Sequence, residues 1–429
     1  MTVGAVARPS VPVVRWPRNP AFWVPAADAF AVLTALSLPW STTLVSILGA
    51  CWLGAAAATF DYRVYGQFLK RPICFLPFAL FGLAAIGTLW SDAPWHERLY
   101  AVGPAVKFLL VPALLFYFMR SSRGIWVFIA FTVSCTLLMV MSWIVAFHPE
   151  FALKPDAEYG VPVKNYIDQS QEFALCAVAL AYPVIMLLRA GRFWLAGLLA
   201  AAALSFVLNM TFVIVSRTAL VTMPIMLATF ALLHLKWRTN LVLFLATMLL
   251  AALAWAASPR LQEKVQTFYS DYYYYRLKDK ATSIGMRLEF WKKSLQFIAD
   301  APVVGHGTGS TRKLFEQVAT SPRNGEVFAS SWVVANPHNQ TLNVMVQWGV
   351  VGVIILYAMW LYHLLLFRGE GFAAWIGLLV VVQNIFTSLF NSHLFDFHAG
   401  WMYVLGVGIA GGLVLRGGAG AATDGPVES

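Results

Sequence analysis

Charge is scarce in this chain. Asp, Glu, Lys and Arg make up 12% of its 429 residues, where a soluble domain carries about a quarter. The charges are missing from long continuous stretches, which excludes one large water-soluble core and makes the bilayer the natural solvent. Acidic residues are scarcer still: 20, against 30 Lys and Arg, for a formal charge of +10. A basic balance can signal nucleic acid, but these residues are scattered through short connections and one long one. That pattern suits anionic lipids or phosphates and argues against a nucleic-acid partner. The four cysteines, Cys51, Cys74, Cys135 and Cys176, all lie in or beside apolar segments. No soluble loop brings two of them together, so neither a disulfide framework nor a zinc site is read. A signal-peptide pattern is missing too, and the first apolar segment is expected to act as an uncleaved insertion signal. A phosphate-cradling Walker loop, a G-x-S-x-G elbow and a His-Glu-x-x-His helix are all lacking.

What remains is apolar: 59% of the chain. A span needs roughly twenty mostly apolar residues. Segments of that kind lie near 22–38, 42–60, 73–90, 102–119, 124–147, 170–188, 193–210, 212–235, 239–257, 338–367, 372–390 and 397–415. The expected fold class is therefore an all-α membrane protein of about twelve transmembrane helices. Its organisation is helices one to nine over 1–257, a loop domain over 258–337, and helices ten to twelve with a short tail over 338–429. No internal repeat is found, and the Gly/Ala-rich tail after Arg416 is expected to be disordered.

Basic residues fall in every second connection. Arg8, Arg15, Arg18, Arg63, Lys70, Arg71, Arg120, Arg123, Arg189, Arg192, Lys236, Arg238, Arg368 and Arg416 share one side. The short connections of the other side hold Arg98, Lys154 and Lys164. Such asymmetry predicts cytoplasmic termini and an even number of spans. The long loop 258–337 then lies outside, on the side away from the cytoplasm. Its own eleven Lys and Arg do not oppose this, because long loops cross largely regardless of charge.

Within that loop Ile284, Leu288, Trp291, Leu295 and Ile298 recur at spacings of three and four, an amphipathic helix. A second short helix is predicted at 311–319 with Ser310 as its N-cap. Between them runs the turn-rich Gly305–His306–Gly307–Thr308–Gly309. Tyr269 and the run Tyr272 to Tyr275 read as an interfacial aromatic belt, with a sugar-stacking surface as the alternative.

Ionisable groups at membrane depth are costly and need a reason. Arg217 lies in an apolar helix read over 212–235, near its outer end; it either snorkels to the headgroups, pairs structurally, or binds phosphate through its rigid fork. Arg287 flanks the apolar stripe of the loop helix, as a solvated arginine or a second phosphate ligand. His338 follows Asn336 and Pro337, a good N-cap and first helical residue. It is therefore expected in a helix first turn, where the dipole keeps an imidazole neutral and able to accept a proton. A plain capping role is the bland reading. Asp168 and Glu172 stand four apart on one helix face, as capping acids or acceptor-side supports. His306 reads as structural or supporting. His393, Asp396 and His398 cluster at another helix end without the tight spacing of a metal site.

Together these marks resemble the O-antigen ligase family: Ser216–Arg217–Thr218, Gly285–Met286–Arg287, the Gly305–Gly309 turn, and Pro337–His338–Asn339 opening the next helix. The resemblance covers residues 165–350. It implies a GT-C-like membrane glycosyltransferase that moves a glycan from undecaprenyl diphosphate to lipid A–core. The reaction is expected to be inverting and to need neither metal nor cofactor. Within it His338 would be the base, Arg217 and Arg287 the diphosphate ligands, and Asp168, Glu172, Asn336, Asn339 and His306 supports. Polymerisation of O-antigen units and glycan transfer to protein remain alternatives within the superfamily. A transporter or flippase for lipid-linked sugars is the alternative outside it, disfavoured by the lack of repeats.

Overall fold

The computed structural model describes residues 20–155, 157–320 and 328–423. Arg8, Arg15 and Arg18, the N-terminal basic residues of the topology argument, lie outside the described residues. Helices follow one another along the chain: α1 (Pro20–Ser37), α2 (Thr42–Ala57), α3 (Tyr62–Phe68), α4 (Pro72–Ile86), α5 (Trp95–Val102), α6 (Leu110–Phe118), α7 (Gly124–Phe147), α8 (Tyr166–Ala179), α9 (Ala181–Arg189), α10 (Phe193–Phe212), α11 (Arg217–His234) and α12 (Trp237–Ala257). Then come α13 (Pro259–Lys278), α14 (Ser283–Asp300), α15 (Ser310–Val318), α16 (Gln340–Leu366), α17 (Phe372–Thr387) and α18 (Phe397–Thr423). No strand occurs among the described residues; the single bridge is Lys280 with Phe328. The chain is an all-α membrane protein. Among the described residues, eight stretches are long and apolar enough to cross a bilayer. The count becomes nine if α2 and α3, bent by 115°, form one broken span. Helices α1, α11 and α17 are shorter apolar helices.

In a bilayer, apolar area gives little drive for helix to meet helix, so close approach of small residues matters more. Helix α18 shows this. A Cβ on Gly406 would stand 2.7 Å from Val380, one on Gly408 2.4 Å from Leu114, and one on Gly412 2.6 Å from Phe118. The glycines let α18 press into α6 and α17, and it is the most covered of the candidate spans. Helix α12 has no buried residue among those described.

Several expectations change. The segment read as a loop at 259–278 is a twenty-residue helix, α13, capped by Ser258 with Pro259 at its first position. The short helix α15 begins at Ser310 itself, with left-handed Gly309 as its cap residue; the Ser310 hydroxyl instead donates to the Gly307 carbonyl at 2.7 Å. The tail after Arg416 continues α18 to Thr423. The amphipathic loop helix is present as α14, capped by Thr282.

The glycine turn between α14 and α15 ties the extramembrane helices to the bundle. Gly305, Gly307 and Gly309 all have positive φ, and Cβ atoms there would meet the backbone of Gln347, Ser91 and Glu97 at under 3.0 Å. Between them the Thr308 N–H donates to the Gly87 carbonyl and its hydroxyl to that of Ala84, at 2.9 and 2.7 Å. Trp348 Nε1 in turn donates to the Thr308 hydroxyl at 2.8 Å. Helix α16 breaks at Gly349, where φ is +58°, and the Val350 N–H goes to the Pro302 carbonyl. The first half of α16 is thereby clamped to α14.

Candidate active site

The helix read over 212–235 starts five residues later than expected. Helix α10 ends at Phe212, residues 213–216 leave helical geometry, and α11 starts at Arg217. Arg217 is therefore the first residue of a helix, beside its unsatisfied N–H groups. The α13 helix crosses over it. Arg217 Nη2 donates to Thr267 Oγ1 at 2.6 Å and pairs with Asp271 Oδ2 at 3.1 Å, and the guanidinium lies 4.5 Å from the Phe268 ring centroid. One donor is left over: Arg217 Nε is buried without an acceptor among the described residues.

Helix α14 carries the second arginine. Arg287 Nη1 reaches back one turn to the Ser283 hydroxyl at 3.0 Å, while its Nε is also buried without an acceptor. Burial first, and then the charge of nearby Arg217, lower the Arg287 pKa, opposed by Asp271. A guanidinium stays charged through such a shift. The Arg287 charge is felt by His338 too. Phe290, on the same face of α14 three residues on, stacks on the imidazole with centroids 6.0 Å apart and an interplanar angle of 26°.

His338 is not in a helix first turn. Helix α16 begins at Gln340, and its N-cap is Asn339, whose Oδ1 accepts from the Leu342 N–H at 3.1 Å. His338 precedes the cap with φ of +54°, a conformation that costs a non-glycine residue roughly 1–2 kcal/mol. Surrounding bonds hold it there. Asn336, read as the cap, instead uses its Oδ1 to accept the His338 N–H at 2.9 Å and the Ser392 hydroxyl at 2.7 Å. Its Nδ2 donates to Asn391 Oδ1 at 2.8 Å. His338 Nδ1 meets that same Asn391 oxygen at 2.9 Å. Strained residues of this kind cluster at functional sites. The His338 pKa is lowered, as expected, but for different reasons: burial first and the Arg287 charge second, with the Asn391 bond and Asp396 opposing.

The remaining candidates sort differently. Asp168 is paired with His398 Nδ1 at 2.8 Å and accepts from Asn165 Nδ2 at 2.7 Å. Glu172 is fully buried against Lys164 at 3.4 Å. The two acids thus have separate partners, and Glu172 Oε2 is buried without one among the described residues. His306 Nε2 bonds the Phe297 carbonyl at 2.7 Å, a tie at the end of α14. His393 and His398 turn to different carboxylates, Asp396 and Asp168.

Four groups escaped the sequence reading. Arg260 and Lys264 lie one turn apart at the start of α13, with Arg260 3.5 Å from the Tyr159 ring centroid and Lys264 4.8 Å from that of Tyr166. Together with Arg217 and Ser283 they line a cavity of about 440 Å³. The Ser258–Pro259 start signal would have found their helix. Asn391 carries no charge and sits in no motif. Lys107, buried inside an apolar segment, donates to the carbonyls of Phe395 and Asp396 and so fixes the 391–396 turn. A lone lysine in an apolar run was the available signal.

Residues 209–357, about a third of the chain, match the family described as O-antigen ligase. No curated protein matches it. The matched segment contains Arg217, Arg287 and His338 and the glycine turn that holds α14 to α16.

Proposed function

We propose that this chain, whose residues 209–357 match the family described as O-antigen ligase, acts as a member of that family and transfers a glycan from undecaprenyl diphosphate to lipid A–core. The family supports a glycosyltransferase-type activity on lipid-linked glycan in general; donor, acceptor and residue roles are our reading. The observation that carries it is the pair of buried Nε–H donors on Arg217 and Arg287, both without an acceptor among the described residues. Burying a polar donor unpaired costs about 1–3 kcal/mol. Two such donors on neighbouring guanidiniums suit an anion that arrives with the substrate. A diphosphate fits, because charge grows on it as the glycosidic bond breaks and fixed positive charge then lowers the barrier. The leaving group needs no strong acid.

We assign His338 the role of base. A lowered pKa keeps the imidazole neutral, and Nε2 makes no hydrogen bond among the described residues. The acceptor hydroxyl gives its proton to Nε2 as its oxygen bonds to the anomeric carbon. The bond from that carbon to the phosphate oxygen breaks, and its electron pair leaves with undecaprenyl diphosphate. Attack opposite the leaving group inverts the anomeric centre. By the sequence asymmetry this site faces the periplasm, with both termini cytoplasmic.

The test is a deletion strain complemented with wild type or His338→Ala, read by lipopolysaccharide electrophoresis. We expect free core and accumulated lipid-linked polymer in the deletion, rescued by wild type alone. Core carrying a single repeat would assign polymerase chemistry instead, and full rescue by His338→Ala would remove the histidine from catalysis.

A further inference from the structure

We propose that Asn391, itself oriented by Asp396, is a positioning residue that fixes the proton of neutral His338 on Nδ1 and leaves Nε2 as the only nitrogen able to take a proton. The proposal rests on the reading of His338 as the base. Its argument is a chain of hydrogen bonds whose directions are set from both ends. At one end stands a backbone N–H, which only donates. The His338 N–H lies 2.9 Å from Asn336 Oδ1, so the oxygen of that amide faces it. Asn336 Nδ2 must then point the other way, and it meets Asn391 Oδ1 at 2.8 Å. At the other end stands a carboxylate, which when ionised only accepts. Asn391 Nδ2 lies 2.7 Å from Asp396 Oδ2. Both ends give the same orientation of the Asn391 amide: nitrogen toward Asp396, oxygen toward Asn336 and His338. His338 Nδ1, 2.9 Å from that oxygen, must be the donor. A neutral imidazole carries one N–H, so the lone pair is on Nε2.

The groups around this bond keep the arrangement rigid. Asp396 Oδ2 also meets His393 Nδ1 at 3.0 Å, and His393 Nε2 meets Gln171 Nε2 of α8 at 3.3 Å. The Lys107 ammonium grips the carbonyls of Phe395 and Asp396. From α14, Phe290 covers one face of the imidazole and Arg287 adds positive charge. The charged and titratable groups that act on His338 are therefore Arg287, Asp396 and His393. An amide at 391 has a specific use here. A carboxylate in contact with the ring would favour the imidazolium and hold the proton that the base must be free to accept. The amide orients the ring without adding charge, and the carboxylate is kept one residue further out.

The experiment uses purified full-length protein with undecaprenyl-diphosphate-linked glycan and lipid A–core, and follows kcat/KM against pH. Asn391→Ala is expected to lower turnover about 10²-fold or more, the scale of a mispositioned general base, with donor KM unchanged. Combined with His338→Ala it should cost nothing beyond His338→Ala alone, since it acts through that residue. Asn391→Asp together with Asp396→Asn exchanges amide and carboxylate at constant charge. It should move the acid limb upward by about one pH unit or more, because the carboxylate then touches the imidazole. If residue 391 does not bond Nδ1 in the working enzyme, the exchange would lower the rate and leave the limb in place, and that result would overturn the proposal. So would near-normal turnover in Asn391→Ala while His338→Ala is inactive. Normal turnover in His338→Ala would instead sink the base reading on which the proposal stands.

Discussion

Replacing Arg217 by lysine separates charge from shape. The guanidinium has two duties in the structure. Its Nη2 neutralises Asp271 at 3.1 Å and bonds Thr267 at 2.6 Å, which joins α11 to α13. Its Nε is the buried donor left for a ligand. Both partners of the ion pair are mostly covered, with side-chain exposures of 16% and 18%. Alanine would strand the Asp271 carboxylate, a change that costs about 3–5 kcal/mol when the pair is buried, so loss of activity there mixes misfolding with lost binding. Lysine keeps a cation for Asp271 but offers no second donor at the Nε position. The expected loss is one hydrogen bond to a charged group, about 1.5–3 kcal/mol, or roughly a 10- to 150-fold fall in kcat/KM. Thermal stability of the purified protein should stay near wild type in Arg217→Lys and in Arg217→Ala/Asp271→Asn, and drop in Arg217→Ala alone. Full activity in Arg217→Lys would refute the reasoning, because the unpaired Nε would then have no role in the donor site.

Other consequences are open to measurement. His338 loses its charged form to burial and to the Arg287 cation, so the acid limb of kcat/KM should lie below the ordinary histidine value of about 6.5; Arg287→Gln removes the smaller of those causes and should raise the limb part of the way back. An unmoved limb would mean that another group titrates. Gly307→Ala puts a Cβ 2.6 Å from the Ser91 backbone, beyond the roughly 1–3 kcal/mol of its positive φ, and should sharply destabilise the purified protein. Gly191→Ala, also at positive φ but with nothing within 4 Å, should cost much less, and equal losses would show that the turn is not a clamp. Reporters after Arg416 and near Asn324, the latter outside the described residues, should read cytoplasm and periplasm; one side for both would split the site from its substrates.

Much of the architecture was legible because its signals are local. Runs of apolar residues name the helices of a membrane chain, and the alternation of three and four from Ile284 to Ile298 found α14 within two residues at each end. Helix α13 was missed because its exposed tyrosines and basic residues carry no apolar period; only its Ser258–Pro259 start spoke for it. Arg217, Arg287 and His338 were identified as site candidates from their residue types and neighbours.

Their arrangement was not written locally. A break is read at 211, but the apolar run from Phe212 to Val215 does not say that the next helix waits until Arg217 to start. Asn336 and Asn339 are both competent caps, and local propensity cannot rank them. The choice fell to Asn339 because Asn336 is engaged by Asn391 and Ser392, more than fifty positions away. The same holds for the tautomer of His338, which depends on an amide and a carboxylate from the turn before α18. Sequence alone marked which segments are apolar enough for a bilayer and which groups were on hand for chemistry. The tertiary structure decided which hydrogen-bond partner each group received, because a donor is satisfied by whatever acceptor packing brings within 3 Å, and packing is set by the whole chain.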